Sequence, residues 1–275
     1  MKLVRTARHQ GKKALRGHWR EAAALFLLWG MMLVLVTLAD QGVYRLAGCS
    51  AKSPLDPEAA LLTLITLVLR VILLAPLGAG AAAWFAALAG GWTRPVSTIF
   101  WAYGNRVWLR SLGVSLYSGL FTATVTLVPL AGEGLSLWLL RERLGALPPR
   151  EQLLAWSLAG AAALLWLLIA RACCQRLAMA RFRLGPDYGY SAAEAIALSG
   201  EYTRGFRWRL VLLDLSFLPW FAACLLGFPA LYVLPWYAAS RARCFRILLH
   251  RRSRPVPAQA PREELPEPRS RRVRV

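Results

Sequence analysis

The chain is short of acid. Asp and Glu number 14 against 34 Lys and Arg in 275 residues, a formal net charge of +20. Histidine is scarcer: His9, His18 and His250 all sit in basic flanks. A zinc-type site needs two or three such ligands converging with carboxylates, and these have no such company. The five cysteines (Cys49, Cys173, Cys174, Cys224 and Cys244) show no C-x-x-C spacing. Four lie in or beside apolar segments, where a thiol behaves as a small hydrophobe. An odd count without a framework argues against a disulfide scaffold. No H-E-x-x-H, G-x-S-x-G or phosphate-binding glycine loop is present. Lacking a nucleophile with a base, or a metal set, the sequence reads as non-enzymatic and without a cofactor.

Long apolar runs are what the chain does have. It is 57% hydrophobic, above the composition of soluble domains, and the apolar residues come in blocks. A helix needs about 20 such residues to cross a bilayer, and an open sheet cannot cross at all because its edge groups would go unpaired. The expected class is therefore an all-α polytopic membrane protein with six transmembrane helices. The spans fall at about 22–39, 60–89, 109–130, 153–173, 207–226 and 229–247. The first has a long basic lead-in and no A-x-A site after it, so it reads as a retained helix. The second would measure roughly 45 Å, longer than the hydrocarbon core, and must tilt or kink. Pro76 supplies a place for the kink, as Pro219 and Pro235 do in the last two spans.

Three further segments read as surface elements. Residues 1–20 carry seven Lys or Arg, with Leu3, Val4, Ala7, Ala14, Leu15 and Trp19 near one helical face, so a basic amphipathic helix in the membrane interface is expected. The aromatic stretch 95–104 reads as a short interfacial helix, and the loop 131–152 as irregular and mixed in charge. Ser191 and Glu194 have the S-x-x-E spacing of a capping box and predict a helix to about Thr203. Trp19, Trp92, Trp101, Trp108 and Trp236 lie near span ends and read as interfacial anchors. The tail 251–275 is rich in Pro, Arg and Glu and reads as disordered and cytoplasmic.

The basic residues sort by side. With the N-terminus inside, segments facing the cytoplasm carry 28 Lys and Arg and outward loops carry 5, leaving Arg70 within a span. That is the positive-inside pattern at every loop, with both termini cytoplasmic. It accounts for the charge without nucleic acid.

The last third resembles a known family. Ala195-Ile196, Ser199, Gly205, the run Leu213 to Trp220, Gly227, Pro235 to Tyr237, and Phe245 stand in an order similar to a family of bacterial multi-pass membrane proteins. That family is catalogued as domain of unknown function nine-seven-five. Ala7-Arg8, Leu15, Gly17 and Trp19 echo its N-terminal motif with altered spacing. Pro219 stands where the family has glycine, and Trp236 splits its Pro-Tyr pair. The resemblance implies a bacterial plasma-membrane location and the six-helix layout, and no activity.

One acid, Asp214, falls deep in a span. Folding spans five and six about Gly227 puts Asp214, 13 residues before the turn, level with Arg241, 14 residues after it. Tyr237 shares a helix face with Arg241. An unpaired carboxylate in lipid costs several kcal/mol or takes a proton. Two readings follow. Asp214 is clamped to Arg241 with help from Tyr237 or Ser216, or Asp214 and Arg70 form a proton or substrate site. The first fits a non-catalytic scaffold or accessory factor whose basic face binds anionic lipid or a membrane-protein partner. The second fits a small-solute transporter or exporter, although no inverted repeat is visible.

Overall fold

The structure is a computed structural model and describes residues 2–46, 57–104, 107–146, 148–185 and 189–252. Among these every regular element is helical. In chain order they are α1 (Lys2–Ala14), α2 (Trp19–Leu46), α3 (Pro57–Gly90), α4 (Val107–Leu139), α5 (Arg141–Gly145), α6 (Pro149–Cys174), α7 (Ala192–Tyr202), α8 (Arg207–Ala223) and α9 (Ala230–Arg252). A 3-10 helix, Val96–Tyr103, forms within the stretch 95–104 where a short helix was expected. The tail beyond Arg252 lies outside the described residues.

Five helices are long and apolar enough to cross a membrane: α2, α3 from Leu61, α4, α6 with its continuation to Leu184, and α8 with its continuation to Leu226. The segment expected as a sixth span is the continuous helix α9, which is not among the five because Arg241, Arg243 and Arg246 interrupt its apolar stretch. Two helices outrun their apolar blocks. α2 extends to Leu46, past the expected end at 39, and α4 runs through Pro129 to Leu139, where an irregular loop was expected. Apolar residues continue beyond that proline, and a membrane helix tolerates a single proline where neighbours satisfy the freed carbonyl.

Burial divides α3 in two. Its first half exposes Leu61, Leu64, Leu67 and Leu69, while in the second half Leu77, Ala79, Ala83, Trp84, Phe85 and Ala89 are buried. The second half is built of Ala and Gly, which let backbones approach closely where lipid offers no hydrophobic drive between helices. Gly80 shows how closely. A Cβ there would stand 2.1 Å from the Ile99 carbonyl oxygen, so the 3-10 helix lies directly on the α3 backbone. Trp84 Nε1 donates to the Arg94 carbonyl at 2.8 Å, and the Tyr103 hydroxyl donates to the Leu73 carbonyl. These two bonds fasten both ends of the aromatic segment to α3.

The N-terminal helix forms, and its apolar face packs on protein. Leu3, Ala7 and Leu15 are buried, and a Cβ on Gly11 would meet Ser240 of α9 at 2.7–2.8 Å. Arg8 lies 4.9 Å from the Phe217 ring and 5.0 Å from the Trp236 ring, and its carbonyl accepts from Trp236 Nε1 at 3.1 Å. Trp236 is thus a core residue and not an interfacial anchor. Trp19, in the first turn of α2, stacks on Tyr232, in the first turn of α9, at 4.5 Å.

The capping box of α7 is complete. Ser191 Oγ accepts from the Glu194 amide at 3.3 Å, and Glu194 accepts from the Ser191 amide at 2.8 Å. Those bonds hold the Glu194 carboxyl below the usual carboxylate range.

Gly80→Ala tests the close approach. Backbone on both sides prevents the clash from relaxing through a rotamer, so a loss of about 1–3 kcal/mol or more is expected. Thermal unfolding of the purified protein in detergent checks it, and an unchanged Tm would contradict the packing.

Candidate functional site

Two helical pairs at spacing i, i+4 converge on one carboxylate. Arg171 and Gln175 leave the end of α6 on one face, and Tyr237 and Arg241 lie on one face of α9. Between them stands Asp214 of α8. Arg171 donates from Nε to Asp214 Oδ2 at 2.8 Å and again from Nη2. Gln175 Nε2 donates to the same oxygen at 2.6 Å. The Tyr237 hydroxyl donates to Oδ1 at 2.7 Å and accepts from Arg241 Nη1 at 2.8 Å. Arg241 Nη2 donates to Gln175 Oε1 at 2.8 Å, which closes the ring. Phe217 and Phe221 meet the Tyr237 ring edge-on at 5.3 and 5.1 Å and fix its direction.

The expected clamp is therefore present in a different form. Arg241 Nη1 is 3.7 Å from Asp214 Oδ1 and acts mainly through Tyr237 and Gln175. Arg171 makes the direct pair. Ser216 takes no part: its hydroxyl bonds to the Leu213 carbonyl at 2.7 Å, the local back-bond a helical serine makes. Arg70 does not reach Asp214. It pairs with Asp40 of α2, which is itself buried. Asp40 is thus a second acid among the helices, where sequence reading left it in a loop.

Arg171, Gln175 and Asp40 were the residues sequence reasoning missed. Arg171 was counted as one more cytoplasmic arginine at a span end, and Gln175 had no charge to draw notice. The usable signal was the i, i+4 spacing of a donor pair at the same level as Asp214.

Beyond Cys174 the α6 helix tightens instead of running on, with 3-10 turns at Gln175–Leu177 and Arg181–Leu184. Ser199 of α7 satisfies the backbone there, donating to the Arg176 carbonyl at 2.7 Å and accepting from the Met179 amide at 3.1 Å.

A cavity of about 730 Å³ lies beside the network, between α2, α3, α4, the end of α6 and α9. Arg70, Arg171, Arg181, Gln175, Tyr237 and Arg241 face it, with apolar side chains making up most of the remaining wall. Asp214 does not line it. The carboxylate is enclosed by donors, so its chemistry is that of an acceptor held in place. Among the described residues no group of three His, Cys, Asp or Glu could hold a metal ion.

The chain matches no family model, no curated protein and no solved structure.

Removing the shared acceptor should destabilise the bundle. Asp214→Asn leaves two guanidiniums competing for a neutral amide, and breaking a buried pair on one side costs about 3–5 kcal/mol. Half-exposed Arg171 puts the expected loss near the low end. Ser216→Ala should stay within about 0.5 kcal/mol, since that residue lies off the network. Unfolding of the two variants side by side checks both, and equal losses would contradict the assignment.

Proposed function

We propose that this protein is a non-catalytic membrane scaffold or accessory factor whose basic face gathers anionic lipid in a bacterial plasma membrane. The observation that carries the reading is the docking of α1. Its apolar face is committed to α8 and α9, while Arg5, Lys12, Lys13 and, just past the helix, Arg16 are exposed, Lys12 reaching over the Trp236 ring at 5.7 Å. A rigidly seated row of cations needs no coupled folding to meet a charged surface, and each Lys or Arg near such a surface is worth about 1 kcal/mol. The saturated shell of Asp214 supports a structural role for that acid, and so favours a scaffold over a transporter that would protonate it. Kinship with the unknown-function family rests on the motif order over residues 195–248.

For topology we propose both termini on the cytoplasmic side, with six crossings, on the alternation of Lys and Arg. One contact favours a variant of this. The Trp19–Tyr232 stack brings the start of α2 to the start of α9. With the N-terminus inside, that fits an α8–α9 hairpin that enters and leaves by the cytoplasmic face, and four full crossings. Both arrangements keep the termini on one side.

Two measurements test these readings. In nanodiscs of mixed zwitterionic and anionic lipid, neutralising Arg5, Lys12, Lys13 and Arg16 to Gln should cut anionic-lipid enrichment at least tenfold at low salt. Unchanged enrichment would leave a protein partner as the occupant of that face. A cysteine-free chain carrying Phe228→Cys should react with a membrane-impermeant maleimide added outside intact cells if α8 and α9 both cross. Protection from outside, with labelling after the bilayer is dissolved, would mean the re-entrant hairpin.

A further inference from the structure

The cavity carries more positive charge than the described residues balance. Four guanidiniums face it: Arg70, Arg171, Arg181 and Arg241. Two carboxylates answer them, Asp40 on Arg70 and Asp214 on Arg171 and Arg241. Arg181 has no carboxylate partner among the described residues. It is exposed although many protein atoms lie around it, the combination expected of a side chain on the wall of an open cleft. Its guanidinium lies over Gly78 of α3, where a Cβ would stand 3.6 Å from Nη1, in ordinary contact. Two positive charges therefore remain in a space bounded by membrane helices, where uncompensated charge is costly.

The remaining wall says what could supply the balance. Ser115, Ser118 and Thr122, at spacings of three and four, place one hydroxyl-bearing face of α4 on the cavity, the Ser118 hydroxyl donating to the Ser115 carbonyl at 3.1 Å until a ligand oxygen competes for it. Guanidiniums with hydroxyls are the set that holds phosphate oxygens, because the planar fork donates two parallel bonds. The rest of the lining is aliphatic and aromatic, including Leu25, Phe26, Trp29 and Phe85. Along α3 the cavity extends from Arg70 to Phe85, about 22 Å at 1.5 Å per residue. Its volume lies within the range of ligand pockets. A small soluble anion would satisfy the arginines and leave that apolar length wet.

We propose that the cavity binds one amphiphile with a net-negative phosphate headgroup, the headgroup on Arg181 and the neighbouring arginines and its chains along the apolar wall. This site is separate from the exposed face of α1 and does not depend on it. Binding of dihexanoyl phosphatidic acid, dihexanoyl phosphatidylcholine and inorganic phosphate to the full chain in an uncharged detergent, by calorimetry, tests it. Phosphatidic acid should bind one to one, at least tenfold tighter than either of the others. Arg181→Gln should weaken it at least tenfold, and Arg181→Lys by less. Ser118→Trp, which fills the cavity and keeps every arginine, should abolish it, while the α1 neutralisation should leave it unchanged. Should Arg181→Gln fail to fold, the lysine and Ser118→Trp variants decide. Equal affinity for the phosphatidylcholine, equal affinity for free phosphate, or indifference to Ser118→Trp would each overturn the proposal.

Discussion

A carboxylate among membrane helices must be partnered, and most of this bundle's interior is arranged around that demand. Asp214 accepts from Arg171, Gln175 and Tyr237, and Arg241 holds the second and third of these in place. Three elements, the end of α6, α8 and α9, are thereby tied at one level. The gain over an all-apolar interior is small, because desolvating the ions offsets much of their attraction. The loss on breaking one partner is large, because a charge is then stranded. Such a network selects one helix arrangement more than it deepens the energy minimum. Asp40 with Arg70 repeats the device between α2 and α3.

Close backbone packing does the rest. Lipid competes with apolar side chains for apolar side chains, so the leucines in the first half of α3 face outward while alanines of its second half face in. The two regimes meet within one helix. The exposed first half resembles a helix chosen by hydropathy alone, and the buried second half one chosen by fit. Gly80 beneath the 3-10 helix and Gly11 against Ser240 are the points where no side chain fits. At Gly11 the same contact seats a basic helix on the bundle, so packing sets where the cations point.

Hydropathy made the spanning helices legible, since a run of apolar residues has few other uses. The S-x-x-E spacing gave the α7 start, and counting from Gly227 brought Asp214, Tyr237 and Arg241 together. Counting fails where partners come from another helix pair, and Arg171 and Gln175 arrive from α6 through tertiary packing. Asp40 was hidden for a simpler reason. An acid at the end of an apolar block looks like the start of a loop, yet α2 carries it inward by continuing to Leu46. The expected end of the third span at about 130 fails in the same way, since α4 continues to Leu139. The tightening after Cys174 is met by bonds to Ser199, more than twenty residues later, a partner that local spacing does not announce.

The excess of arginine needs two explanations, and only one is topological. Positive-inside sorting accounts for cations in loops, where water and lipid headgroups solvate them. It cannot account for Arg70, Arg181 or Arg241, which face a space between helices. An interior arginine persists when something accepts its five donors. For Arg241 the acceptors are Tyr237 and Gln175, and for Arg70 the acceptor is Asp40. Among the described residues Arg181 has a cavity in place of an acceptor. The two carboxylates that answer the arginines of this space, Asp40 and Asp214, are both committed, and the proposed amphiphile would supply the balance for Arg181.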